Sequence, residues 1–107
     1  MNYQIRITET AKQDLREIAF YIASQTQDRE TAKKFVNELR AQCSRLAEFP
    51  NLGALPQDRM LRSMDYRFIS HKDYLIFYRV NDSEKAVDIL AVFNARKDIL
   101  RVMRRFL

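Results

Sequence analysis

No apolar run in the 107 residues approaches the roughly 20 needed to span a bilayer. The opening MNYQIRITET lacks the apolar core of a signal peptide. The expectation is therefore a cytoplasmic protein with no membrane partner. Cysteine occurs once, at Cys43, which excludes an internal disulfide. No Cys/His spacing suits zinc, so neither a metal nor a cofactor is expected. Histidine also occurs once, at His71, in a predicted turn where an imidazole is expected to be solvent-exposed. Internal repeats and low-complexity segments are missing too, and residues 1–107 are expected to form a single domain.

What is present is the profile of a folded protein, with 47% hydrophobic and 31% charged residues. The net charge of +5 favours an acidic partner. Residues 1–50 hold eight Lys/Arg against seven Asp/Glu, whereas residues 51–107 hold eleven against seven. The excess is densest in ARKDILRVMRRF near the C-terminus.

The opening NYQIRIT alternates Tyr3, Ile5 and Ile7 with polar residues and reads as a half-buried strand. Thr8 or Thr10 then caps a helix over about 10–24, with Gln13 placed to complete a capping box with Thr10. Ala11, Leu15, Ile18, Ala19 and Ile22 form its apolar stripe. Asp28 is a good N-cap for a second helix over about 28–48, whose stripe of Ala32, Phe35, Val36, Leu39, Cys43, Leu46 and Ala47 stops at FPNLG. On that stripe Cys43 reads as a small buried apolar residue. So short a link folds the two helices into a hairpin. After a loop over about 50–61, the runs DYRFIS, YLIFYRV and AVDILAVF are separated by breaks that suit an antiparallel meander. Tyr66, Tyr74 and Tyr78 within them read as packing residues. A short helix over about 96–106 closes the chain.

The resulting architecture is α+β and two-layered, β-α-α-β-β-β with a short C-terminal helix and the helical hairpin on one face of a small antiparallel sheet. YLIFYRV poses a problem for it, because Leu75 and Phe77 must lie on the face opposite Tyr74, Ile76 and Tyr78. The hairpin covers one face, leaving the other to the C-terminal helix and a bound partner.

The chain resembles the ParE toxins of bacterial toxin–antitoxin systems, within the RelE/ParE superfamily. The likeness is carried by Ala11, Asp14, Leu15, Ile18, Tyr21 and Ile22 in the first helix and by the RLAEFPNLG stop. Arg67, the strand YLIFYRV and the segment VDILAVFNARKDI complete it. Asn94 stands where many members have histidine. The resemblance implies that the first strand lies beside the last. It also implies a growth-inhibiting toxin that binds DNA gyrase, traps its cleaved DNA complex and is neutralised by a cognate antitoxin in a hetero-oligomer. The alternative is a RelE-type endoribonuclease that cuts messenger RNA on the ribosome. That chemistry needs a proton-transfer group near the end of the last strand or in the tail, yet no Tyr follows Tyr78 and His71 is the one histidine. A binding inhibitor without catalytic residues is accordingly the favoured reading.

Arg62, Arg67, Arg79, Arg96 and Lys97 are the candidates for holding target or phosphate, expected to converge near one end of the sheet. Each also suits a solvated basic face, and Arg96 with Asp98 suits an ion pair at a helix start. Leu75, Phe77, Ile99, Val102, Met103 and Phe106 are the apolar candidates for antitoxin binding, rimmed by Arg101, Arg104 and Arg105. A DNA-reading role for RKDILRVMRR competes poorly, since no base-reading Asn/Gln cluster accompanies it. One short helix also offers little apolar area to a lipid surface.

Overall fold

A computed structural model describes residues 2–57 and 59–96, together with Val102 and Arg104. Strand β1, Gln4–Ile7, leads through Thr8 into helix α1, Glu9–Thr26. Thr8 is the N-cap, its hydroxyl accepting the Ala11 amide at 3.2 Å. The helix thus begins at Glu9, its cap two residues before Thr10, and Gln13 bonds Glu17 and Arg16 instead of completing a capping box. Gln27, in the left-handed region at φ 55°, ends α1. Helix α2, Arg29–Arg45, starts at Asp28, whose carboxylate accepts from the Glu30 amide and the Thr31 hydroxyl. It stops short of the expected position 48 because the Leu46 and Ala47 amides tighten onto carbonyls three residues back.

A short helix α3, Arg59–Ser63, occupies the expected loop. The meander follows as β2, Tyr66–His71, β3, Tyr74–Asn81, and β4, Ala86–Asn94. The sheet order is β1-β4-β3-β2, so the first strand does lie beside the last. That pairing is parallel, with Arg6 opposite Asp88, while the meander is antiparallel. The sheet is therefore mixed at one edge, the whole hairpin and meander forming the crossover that a parallel pair requires.

Strand β1 is too short for its partner and covers only the Ala86–Ile89 half of β4. Helix α1 completes the edge. The Thr8 amide and hydroxyl both donate to the Ile89 carbonyl, and the buried Asp14 carboxylate accepts the Val92 amide at 3.0 Å. A buried strand amide without such an acceptor would cost about 1–3 kcal/mol.

The register between β3 and β4 steps from Phe77 opposite Ala91 to Tyr78 opposite Ile89, leaving Leu90 as the extra residue of a β-bulge. The bulge changes which residues of β4 share a face. Val87, Ile89 and Val92 join Ile76, Tyr78 and Val80 beneath the helices, packed on Leu15, Ile18, Leu39, Cys43 and Leu46. Ala91 and Phe93 turn to the opposite face with Phe77, Tyr66 and Val102.

YLIFYRV is two-sided because both faces are core. Phe77 has no exposed surface, stacking on Tyr66 and Phe68 at centroid distances of 5.0 and 4.8 Å. The expectation that Phe77 awaits a partner is corrected: the chain buries this residue itself. Burial of a phenylalanine side chain is worth roughly 1.5–3 kcal/mol. Around it Phe68, Leu75 and Leu90 are only partly buried. Of the expected C-terminal helix, Arg96 lies in a turn, Val102 and Arg104 are helical, and the rest lies outside the described residues.

Candidate target-binding surfaces

The FPNLG segment is fixed to the sheet by one side chain. The Tyr78 hydroxyl donates to the Pro50 carbonyl at 2.8 Å and accepts the Gly53 amide at 2.9 Å. Burial pushes its phenol pKa up. Gly53 is required for space and not for backbone conformation: a Cβ there would lie 2.5 Å from the Phe68 carbonyl oxygen and 2.7 Å from the Tyr78 hydroxyl. Arg67, on the helix side of β2, donates to the Gly53 carbonyl at 3.0 Å. It therefore braces this loop, and only part of its guanidinium remains for another ligand.

The other proposed cations are spread over the molecule. Arg62 is exposed on α3. Arg79 is exposed on the face opposite the helices, in register with Tyr66 on one side and Asp88 on the other. Asp88 is paired there with Arg6, whose Nε lies 2.6 Å from its Oδ1. Arg96 is exposed beyond the other end of β4, where Asn94 pairs with Tyr74. The stretch of β3 between Tyr74 and Arg79 separates these ends by about 17 Å. The expected convergence of Arg62, Arg67, Arg79 and Arg96 does not occur, because alternation puts Arg67 and Arg79 on opposite faces and strand length parts Arg79 from Arg96. Lys97 lies outside the described residues.

Among the antitoxin candidates, Leu75 is half-buried, Phe77 and Val102 are core, and Arg104 is exposed. Ile99, Arg101, Met103, Arg105 and Phe106 lie outside the described residues. The second face thus presents a closed centre with an apolar margin of Phe68, Leu75 and Leu90.

His71 is not a solvent-exposed turn residue. It ends β2, with its side chain 17% exposed and Nε2 2.9 Å from Glu38 Oε1 on α2. The Phe35 ring packs against it at 5.6 Å. The hydrogen bond from His71 holds the Glu38 carboxyl below its ordinary range, Lys72 adding to the effect and burial opposing it. Asn94 turns its side-chain oxygen to the Arg96 amide at 3.0 Å. Cys43 is buried as expected, and desolvation pushes its thiol up to about 11, away from reactivity.

Sequence periodicity did not reveal a cleft of about 420 Å³ where the C-terminal part of α1, the start of α2 and the β2–β3 turn meet the end of β4. Tyr21, Phe35, Tyr74, Lys72, Asp73, Asn94 and Arg96 line it with Ile22. A second groove, over Phe20, Ala23, Ala32 and Val36, runs along the outer side of the hairpin, where Phe20 is 76% exposed.

A helical hairpin on a four-stranded mixed sheet, with β1 inserted beside β4, defines a RelE/ParE-type toxin fold. The chain belongs to the ParE toxin family of type II toxin–antitoxin systems, whose model matches residues 5–99. No curated protein matches it. Among solved structures, the chromosomal ParDE system of P. aeruginosa aligns at TM-score 0.73 and 21% identity, covering 88% of this chain and 97% of the other. The RelBE2 toxin–antitoxin complex of Mycobacterium tuberculosis aligns at 0.67 and 21%, covering 88% and 92%. A free E. coli RelE toxin aligns at 0.58 and 22% over the full length of both chains. Identities this low establish a shared fold, and both ParDE and RelBE structures share it.

Proposed function

We propose that the protein inhibits DNA gyrase by binding it and trapping its cleaved DNA complex, and that a cognate antitoxin neutralises it within a hetero-oligomer. The observation that carries this reading is the dispersal of the cations among the described residues. A ribonuclease of the RelE type needs several basic groups around one scissile phosphate and a proton-transfer residue within hydrogen-bond reach. Here Arg67 braces the FPNLG loop, Arg79 stands on the other face and Arg96 lies at the other end of the sheet. The one imidazole is engaged by Glu38. Dispersed arginines suit recognition of an extended surface by several separate carboxylate or phosphate contacts.

The antitoxin part of the reading rests on the family and on the second sheet face. An amphipathic segment with an acidic edge would cover Phe68, Leu75 and Leu90 and meet the exposed Arg104. In the ParDE and RelBE structures that share the fold, the toxin is accompanied by an antitoxin.

Purified gyrase with supercoiled plasmid tests the target directly. Accumulation of linear cleaved DNA and loss of supercoiling are expected, with ribosome-bound messenger left intact in a cell-free system. Codon-specific messenger cleavage without any effect on gyrase would reverse the assignment.

A further inference from the structure

The cleft at the end of β4 brings aromatic and cationic groups together. Its aromatic wall is already ordered: the Tyr74 ring meets Phe35 edge-on at 5.3 Å, and Phe35 in turn packs on His71. Tyr21 adds a further ring from α1 and is 46% exposed. Two cations stand at the same cleft. Lys72 is held at the hairpin tip, its ammonium 3.4 Å from Glu38 and 5.4 Å from the centre of Phe35. Lys72 takes a positive φ of 54°, which a side chain adopts at a cost glycine would avoid. Arg96 is the second, its turn set by the Asn94 side chain. The Ala95 amide bonds the Asp73 carbonyl at 2.8 Å, so the two loops that carry these cations are joined.

Partly exposed rings with cations beside them provide a stacking surface and a phosphate seat together. The volume of about 420 Å³ lies at the lower end of ligand sites, which run from about 300 to 1,000 Å³. We propose that this cleft binds a single nucleotide unit, its base on Tyr21 and Tyr74 and its phosphate between Lys72 and Arg96. The Asp73 carboxylate is an acceptor and repels phosphate, so it belongs beside the sugar hydroxyls. The unit is either a free nucleoside phosphate or one residue of a single strand. Because the assignment makes no use of gyrase, it stands or falls separately from the proposed target.

Titration calorimetry of the full chain with AMP, with a single-stranded oligoadenylate and with inorganic phosphate tests it. Saturable binding of a nucleotide probe is expected, with phosphate about tenfold weaker. An oligoadenylate at least tenfold tighter than AMP identifies the source as a strand, and equal affinities identify a free nucleotide. Tyr21→Ala and Arg96→Gln should each weaken binding about fivefold or more. Lys85→Gln, in the β3–β4 turn at the opposite end of the sheet, should leave it unchanged. The proposal is overturned by the absence of saturable binding, by phosphate binding as tightly as the nucleotides, or by wild-type affinity in the Tyr21 and Arg96 variants. Displacement of AMP by an acidic peptide of equal charge would likewise overturn it, since the cleft would then read charge alone.

Discussion

On the helix side of the sheet, Ile76, Tyr78, Val87 and Ile89 have no exposed surface beneath helices of 18 and 17 residues. On the other side Phe77 and Ala91 are equally dry, and Phe93 is 3% exposed. The difference lies at the margins. Beneath the helices the sheet passes into further core at Leu15, Leu39 and Leu46 before it reaches partly buried residues such as Ile5, Ile22 and Phe35, whereas among the described residues Phe77 borders the partly buried Phe68, Leu75 and Leu90 directly. A sheet face can thus be closed at its centre and open at its edge, and the two conditions serve different ends. The closed centre stabilises the isolated chain, and the partly buried margin is the apolar area on which the proposed antitoxin contact rests.

The largest expected effect is on the helix side. Leu39→Ala empties a site with no exposure and should cost about 2–5 kcal/mol in urea unfolding. A loss no larger than that of Leu75→Ala would break the distinction between the faces. Next comes Tyr78→Phe, which keeps the ring but strands the Gly53 amide and the Pro50 carbonyl. It should destabilise by about 1–3 kcal/mol, with amide exchange accelerated at Gly53 before the strands are affected. The third effect is on acid stability. Glu38 has a folded pKa below its unfolded one, so it stabilises the fold above the unfolded carboxylate pKa of about 4.3, and that contribution disappears as pH falls through the folded value. The melting temperature should therefore drop on acidification below about pH 4.3, and Glu38→Gln should flatten that drop. The smallest stability changes belong to the open margin. Leu75→Ala should cost the isolated chain about 1 kcal/mol or less yet weaken antitoxin binding measurably. Arg104→Ala should weaken it in a salt-dependent way with no change in melting temperature.

The helices were legible in the sequence because Ala11, Leu15, Ile18 and Ile22, and then Ala32, Leu39, Cys43 and Leu46, recur at the helical period whatever surrounds them. The meander was legible for the same reason at period two. What could not be read locally depends on contacts distant in sequence. The bulge at Leu90 is invisible because ILAVF is apolar throughout, so a slip of one residue leaves the pattern unchanged. Arg67 looks like any exposed arginine until Gly53 is brought beside it, and His71 looks like a turn residue until α2 places Glu38 and Phe35 over it. Asp14 was noticed as part of the first helix, but its role as acceptor for Val92 follows only from the shortness of β1. Five residues between loop segments carry too little periodicity to announce α3. The cleft joins residues from Tyr21 to Arg96, a combination that no window along the chain contains.

The place of β1 constrains how the molecule comes into being. Arg6 and Asp88 are 82 residues apart in the chain yet lie side by side, so the sheet's outer edge cannot form until β4 has been synthesised. Chains emerge at roughly 5–20 residues per second, and the two amphipathic helices wait through several of those seconds with their stripes uncovered. Long-range closure of this kind slows folding as well, because the loop entropy is spent before the contact is gained. Any surface that depends on the closed sheet is consequently absent from the nascent chain until its last strand has been made.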